Sequence, residues 1–167
     1  MRLALAPRHP ERCEEVNRLA SHWGPVRRYS SLPLPAAGGE IILLDTVGEL
    51  AAIYAAADIV FVGGTLIAHG GQNMMEPCGL ARPTIVGPST FNFNDAMAAL
   101  REENGIREIA SAAELAVALS ELLENPAAAA AMGQRGRAAL LKRQGATQRT
   151  LRRLEALRTD MTSASRP

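Results

Sequence analysis

The chain has 167 residues, of which 47% are hydrophobic but only 4% aromatic, so its core must be aliphatic and rich in alanine. Residues 40–126 carry twelve acidic and three basic residues, and this acidic middle argues against a nucleic-acid groove. Two cysteines argue against a disulfide framework or a structural zinc site. We expect a soluble chain, since no apolar run approaches the ~20 residues that span a bilayer and no signal peptide is visible.

Short apolar segments alternate with helical patterns along the chain. The predicted strands are residues 3–6, 26–29, 41–44, 59–62 and 84–86, with a weaker sixth at 105–109. The predicted helices are residues 10–23, 48–57, a segment from about Asn73, and residues 93–103, 112–124, 127–144 and 146–158. This alternation predicts an α/β fold with a Rossmann-like, doubly wound parallel sheet. We expect one domain over residues 1–158 and a frayed tail over residues 159–167.

Polar or glycine-rich segments follow four of the predicted strands, where parallel sheets bind their ligands. Arg8 and His9 follow the first strand, and the Arg8 guanidinium either is a solvated surface group or contacts a phosphate. Residues 46–49 follow the third strand and either simply begin a helix or hold a base edge through backbone groups. Residues 88–93 follow the fifth strand. Because carboxyl ends of parallel strands share one edge, the four segments together predict a ligand site.

The fourth segment is the most informative. Its strand ends in Gly63-Gly64, and His69-Gly70-Gly71-Gln72-Asn73-Met74-Met75-Glu76-Pro77 comes next. Glycines let a backbone approach a ligand, and the N–H groups of a helix start favour an anion. Taken singly, His69 is equally an ordinary loop residue, Asn73 a helix cap and Glu76 a first-turn carboxylate. Together they predict half of a sugar-nucleotide site in which Glu76 accepts from ribose hydroxyls.

Six motifs carry a resemblance to a known family. They are Ala-Pro-Arg-His-Pro-Glu-Arg at 6–12, Asp-Thr-Val-Gly-Glu-Leu at 45–50, Gly-Gly-Thr-Leu at 63–66, Gly-Gly-Gln-Asn with Glu-Pro at 70–77, Gly-Pro-Ser-Thr-Phe-Asn-Phe at 87–93 and Gln-Gly-Ala-Thr-Gln-Arg at 144–149. In this order, and over nearly the whole chain, they resemble the 3-deoxy-D-manno-octulosonic acid (Kdo) transferases of bacterial lipopolysaccharide assembly.

The resemblance covers only the C-terminal half of that family, whose members look like two-domain GT-B glycosyltransferases. It implies a half that binds the donor CMP-Kdo, from which Kdo is transferred, with no metal and no cofactor. The lipid A precursor, the membrane anchor and the catalytic base would belong to an N-terminal domain, joined in cis or in trans. The family works on the cytoplasmic side of the inner membrane. We therefore expect a fragment or a split-gene product with no transferase activity by itself.

The resemblance also implies which residues contact the donor. Phosphate would be held by Arg8 and the glycine amides, base and ribose by residues 46–50, and the ribose diol by Glu76. None of the chain's residues is expected to be catalytic. The implied donor-binding residues are Arg8, His9, Thr46, Val47, Gly48, Glu49, Thr65, His69, Gly70, Gly71, Asn73 and Glu76.

Two residues depart from the family pattern, because Gln72 and Ser89 stand where the family has histidines. Neither side chain can carry a positive charge, which leaves open weaker affinity for the same donor or preference for a related one. Two other functions also stay open. One is another GT-B half that uses a UDP- or GDP-sugar, and the other is a non-catalytic nucleotide-binding or scaffold remnant that pairs with another chain.

Overall fold

Six short strands, all paired in parallel, organise the described part of the chain. The structure is a computed structural model that describes residues 2–31, 39–143, 145 and 150–155. Its strands are β1 (Leu3–Leu5), β2 (Val26–Arg28), β3 (Ile41–Leu43), β4 (Val60–Phe61), β5 (Thr84–Val86) and β6 (Arg107–Glu108). They form two sheets, with strand orders β1-β3-β2 and β4-β5-β6. All six predicted strands and their parallel pairing are confirmed, but the pairing gives two three-stranded sheets rather than one continuous sheet.

Helices connect the strands as the sequence predicts. They are α1 (Cys13–Ala20), α2 (Leu50–Ala56), α3 (Met75–Gly79), α4 (Asn94–Glu102), α5 (Ala112–Glu124) and α6 (Pro126–Lys142). Residues 150–155 are also helical, so the last predicted helix is described only in part, and the predicted tail 159–167 lies outside the described residues. None of the helices in the described ranges is both long and apolar enough to cross a membrane.

The chain forms two compact units, Met1–Asp58 and Ile59–Pro167. In the first unit, Leu43 is fully buried in the central strand β3. Cys13 and Ala20 are buried on α1, seven residues apart, as an amphipathic helix requires. The Cys13 thiol lies 4.0 Å from the carbonyl oxygen of Leu44 at the end of β3, so α1 packs along the central strand. The prediction of one domain over residues 1–158 stays a prediction.

In the second unit, the core forms between β5 and α5. Ile85, Ile109 and Ala118 are buried together, and a row of leucines on α5 packs against them, namely Leu115, Leu119 and Leu122. This row confirms the helical spacing seen in the sequence. Ser111 caps α5, because its hydroxyl oxygen accepts a hydrogen bond from the Glu114 amide at 3.2 Å.

Two glycines allow α6 to pack closely on its neighbours in the second unit. A Cβ at Gly133 would lie 2.8 Å from the carbonyl carbon of Ala81, two residues beyond α3, and nearer still to its oxygen. A Cβ at Gly136 would likewise collide with the backbone of Gly105 after α4. The absence of side chains at these two positions therefore sets how closely α6 approaches the turns that follow α3 and α4.

We predict that Gly133→Ala destabilises the chain by about 1–3 kcal/mol, because a methyl group there forces rigid backbone apart. The matched control is Gly79→Ala within α3, where an added Cβ meets nothing within 4 Å. The control should be neutral or stabilising, since alanine is the better helix former. Chemical denaturation of both variants measures the difference, and equal stabilities would contradict the close packing.

Candidate functional site

The carboxyl ends of β4 and β5 are tied together by one buried side chain, Thr65. Thr65 is 0% exposed, and its hydroxyl donates to the Val62 carbonyl at 2.6 Å. The same hydroxyl oxygen accepts from the Gly87 amide at 2.7 Å. One hydroxyl thus joins the segment after β4 to the segment after β5. Thr65 shapes the site from inside, and a direct contact between Thr65 and a donor stays a prediction.

The glycine loop, residues 63–73, lies against the segment after β5. The Ser89 amide donates to the Thr65 carbonyl at 2.9 Å, and the Gly70 amide donates to the Ser89 hydroxyl at 2.9 Å. Gly70 and Gly71 have φ of 82° and 75°, a left-handed backbone that favours glycine. A Cβ at Gly71 would lie 2.8 Å from Thr65 Cγ2 and 2.9 Å from the Ser89 carbonyl oxygen. Both glycines are needed to bring the loop this close.

Asn73 and Glu76 form a pair at the start of α3. The Asn73 side-chain amide donates to a Glu76 carboxylate oxygen at 2.9 Å, and Asn73 Oδ1 accepts from the Met75 amide at 3.0 Å. Asn73 therefore both caps a helical amide and orients an exposed carboxylate. Since α3 has only five residues, it aligns few peptide dipoles, and its field at an anion is weaker than a longer helix would give.

His69 is exposed in the same loop, and its amide donates to the Ile67 carbonyl at 2.7 Å. Gly64, at the start of the loop, has a φ of 74° and is also left-handed. The Gly70 amide is held by the Ser89 hydroxyl and is not offered to an anion in this arrangement.

The other predicted site residues lie in the first unit, at the carboxyl ends of β1 and β3. These two strands are paired, and the Leu44 amide donates to the Leu5 carbonyl at 2.8 Å, so the segments after them leave the sheet side by side. Arg8 and His9 follow β1 and are exposed. Nδ1 of His9 lies 3.4 Å from a Glu11 carboxylate oxygen.

The segment after β3 is anchored by Asp45. Its two carboxylate oxygens accept from the Ser30 amide at 3.0 Å and from the Ser30 hydroxyl at 2.7 Å. The hydroxyl, followed by the amide, lowers the pKa of Asp45. Val47, Gly48 and Glu49 follow, with Gly48 at a φ of 100°. Within the described residues, the Thr46 hydroxyl oxygen is buried without a hydrogen-bond partner, which marks this segment as one that a ligand or a rearrangement would satisfy.

The predicted residues thus fall into two groups. The second unit brings together Thr65, His69, Gly70, Gly71, Asn73 and Glu76, and the first unit brings together Arg8, His9, Thr46, Val47, Gly48 and Glu49. Each group follows neighbouring parallel strands, as the sequence predicts. That both groups contact one ligand stays a prediction.

Asn92 was not predicted from the sequence to be a site residue. The Asn92 side chain occupies the space beside Gly70, where a Cβ would lie 2.8 Å from Asn92 Cγ. A shallow cleft of about 450 Å³ adjoins it, lined by Met75 and residues 91–96. Asn92 belongs to the motif at 87–93, and its position after β5 is the sequence feature that could have identified it.

The nearby cysteine is not a nucleophile. Cys78 is fully buried in α3, and burial raises the pKa of its thiol to about 11, so it is protonated at neutral pH. Across the described residues there is no cluster of three histidine, cysteine or acidic side chains arranged for a metal ion.

Comparisons with known proteins agree with this fold. The C-terminal CMP-Kdo binding domain of WaaA from Acinetobacter baumannii, a crystal structure, superposes with a TM-score of 0.76 at 31% identity, covering 82% of this chain and 72% of that domain. The protein therefore has the parallel α/β fold of a GT-B glycosyltransferase C-terminal domain. No protein-family model matches the chain.

Two curated relatives extend the comparison. The 3-deoxy-D-manno-octulosonic acid transferase of Haemophilus influenzae is 39% identical over 151 residues, or 89% of this chain and 35% of that protein. The transferase of the same description from Bordetella pertussis is 40% identical over 156 residues, or 92% of this chain and 36% of that protein. The chain belongs to the 3-deoxy-D-manno-octulosonic acid transferase family, and it spans about a third of the length of these relatives.

We predict that Thr65→Val destabilises the chain by about 1–3 kcal/mol, because the Gly87 amide is then buried without a partner. Thr65→Ser is the matched control, since it keeps the hydroxyl and loses only a methyl group. Urea denaturation of both variants measures the difference. If valine and serine cost the same, the hydroxyl bridge does not hold the two segments together.

Proposed function

We propose that this chain is the donor-binding part of a glycosyltransferase that moves Kdo from CMP-Kdo to a lipid A precursor in lipopolysaccharide biosynthesis. The observation that carries the proposal is the glycine loop with its Asn73–Glu76 pair, in a fold that matches a CMP-Kdo binding domain. A sugar nucleotide needs a neutral or positive cradle for its phosphate and acceptors for its ribose hydroxyls. The loop amides would supply the cradle for the phosphate, and the Glu76 carboxylate would supply an acceptor for the ribose hydroxyls.

The phosphate would lie against the glycine loop. The N–H groups of Gly64 and Gly71 would favour an anion, and the Arg8 guanidinium would add a full positive charge. The Gly70 amide would join them by leaving the Ser89 hydroxyl. His69 would donate to a phosphate or sugar oxygen.

The nucleoside would be held at two places. Glu76 is exposed and kept in position by Asn73, so its second carboxylate oxygen is available to the ribose diol. Residues 46–49 would hold the cytosine through backbone groups, and the buried Thr46 hydroxyl supports this assignment because it lacks a partner among the described residues.

In this proposal the chain's contribution to catalysis is electrostatic. As the bond between Kdo and CMP breaks, negative charge develops on the departing phosphate, and oriented amides together with Arg8 stabilise it. The general base and the acceptor site would belong to a separate N-terminal GT-B domain, in cis or in trans, at the cytoplasmic face of the inner membrane. The proposal assigns turnover to the chain only together with that domain.

The test of the proposal is nucleotide selectivity. We predict that CMP binds this chain more tightly than UMP or GMP, measured by isothermal titration. At a CMP concentration of 100 times its dissociation constant, the unfolding free energy should rise by about 2.7 kcal/mol. Equal affinity for the three nucleotides would favour a different GT-B donor, and absence of binding by all three would favour a scaffold role.

We further predict that Glu76→Ala weakens CMP binding by about 1.5–3 kcal/mol, the range for a hydrogen bond that involves a charged group. Folding should change little, because the side chain is exposed. Glu102→Ala on α4 is the control, since Glu102 is also exposed and lies outside the proposed site. A loss of stability with unchanged CMP affinity would show that Glu76 only supports the start of α3.

A further inference from the structure

The two edges of the first sheet differ in chemistry. At one edge, β2 carries Arg27 and Arg28, which pair with Glu40 and Glu14. Charged edge strands of this kind discourage further strand pairing. At the other edge, β1 is Leu3-Ala4-Leu5, with no charge at all. Within the described residues β1 pairs only with β3, so its outer backbone groups face no strand.

The faces of β1 are also uncovered. Leu3 is 45% exposed and Ala4 is exposed on the opposite face, although parallel strands are normally buried on both faces. Leu3 and Leu5 line an apolar groove of about 300 Å³ together with α1. Val16 and Leu19 of α1 line the groove, together with Trp23 in the turn after α1, and Trp23 is 88% exposed. An open apolar groove beside an uncharged sheet edge is a docking surface.

We propose that this groove binds an extended apolar segment that adds to β1 as a further strand of the first sheet. Its main-chain groups would pair with the outer edge of β1, and its alternate side chains would fill the groove over Leu3, Leu5 and Trp23. The proposal rests on the proposed function in one respect, because it takes the strand from the rest of the longer transferase.

The length of the solved relative supports a strand from the same domain. This chain covers 72% of the Acinetobacter baumannii CMP-Kdo binding domain, so more than a quarter of that domain is not matched by it. The unmatched part belongs to the same α/β domain, whose usual building units are strands and helices. A strand also satisfies the edge amides and carbonyls of β1, whereas a helix laid in the groove would leave them unpaired.

The experiment uses Trp23 as a reporter, because it is the only tryptophan of the chain. Overlapping synthetic peptides would cover the part of the Acinetobacter baumannii domain that this chain does not match, and each would be titrated against the full chain. We expect a peptide with an extended apolar stretch to shift the Trp23 emission to shorter wavelength. Hydrogen exchange should show new protection of the β1 amides with that peptide.

A substitution in the groove tests the location. Leu3→Asp should weaken peptide binding about tenfold or more, because it places a charge where the bound peptide would bury the leucine side chain. The matched control is Leu151→Asp, a leucine of similar exposure outside the groove, which should leave peptide affinity unchanged. Circular dichroism would confirm that both variants fold.

Two outcomes would overturn the proposal. One is that no peptide changes the Trp23 emission. The other is that the chain alone forms a dimer that Leu3→Asp dissociates, which would make a second copy the occupant. CMP affinity is measured in the same samples, so peptide binding without CMP binding would reject the proposed function and leave the groove assignment intact.

Discussion

The hydroxyl of Thr65 is the interaction on which the candidate site depends. It bonds to Val62 after β4 and to Gly87 after β5, so it fixes two loops whose strands are paired below them. A hydroxyl buried with both partners satisfied is stabilising, whereas either partner left alone would cost free energy. The glycines follow from this constraint. With Thr65 and Ser89 in place, Gly71 has no room for a side chain.

Much of the fold could be predicted because its determinants are local. Apolar runs bounded by glycine or proline predicted the six strands, and the helix predicted over residues 112–124 matches the observed range of α5. The division into two sheets could not be predicted, since strand pairing joins residues far apart in the chain. The short length of α3 was not predicted either. A turn follows it, in which Ala81 has a φ of 57° and packs closely on Gly133 of α6.

The need for glycine in the loop could be argued from the sequence, but the side-chain contacts of the candidate site could not. Positive φ at Gly70 and Gly71 agrees with the reason for expecting glycine there. The direction of a side chain depends on its neighbours in space, so the sequence did not show that Asn73 would bind Glu76 or that the Thr65 hydroxyl would point inward. Ser89 stands where the family resemblance implies a histidine, and its hydroxyl accepts a hydrogen bond from the Gly70 amide. This hydrogen bond holds the glycine loop against the segment after β5 without a positive charge at position 89.

Folding of the second unit pairs charged residues that are separate in the sequence. Lys142 and Arg143 at the end of α6 are separate in sequence from the acidic middle, yet they pair with Glu103 and Glu102 at the end of α4. Exposed pairs of this kind contribute little stability individually. Their effect is to offset negative charge in the unit that holds the glycine loop. Part of the negative charge of residues 40–126 is thus neutralised in the folded unit, because the field depends on charges in space rather than in sequence.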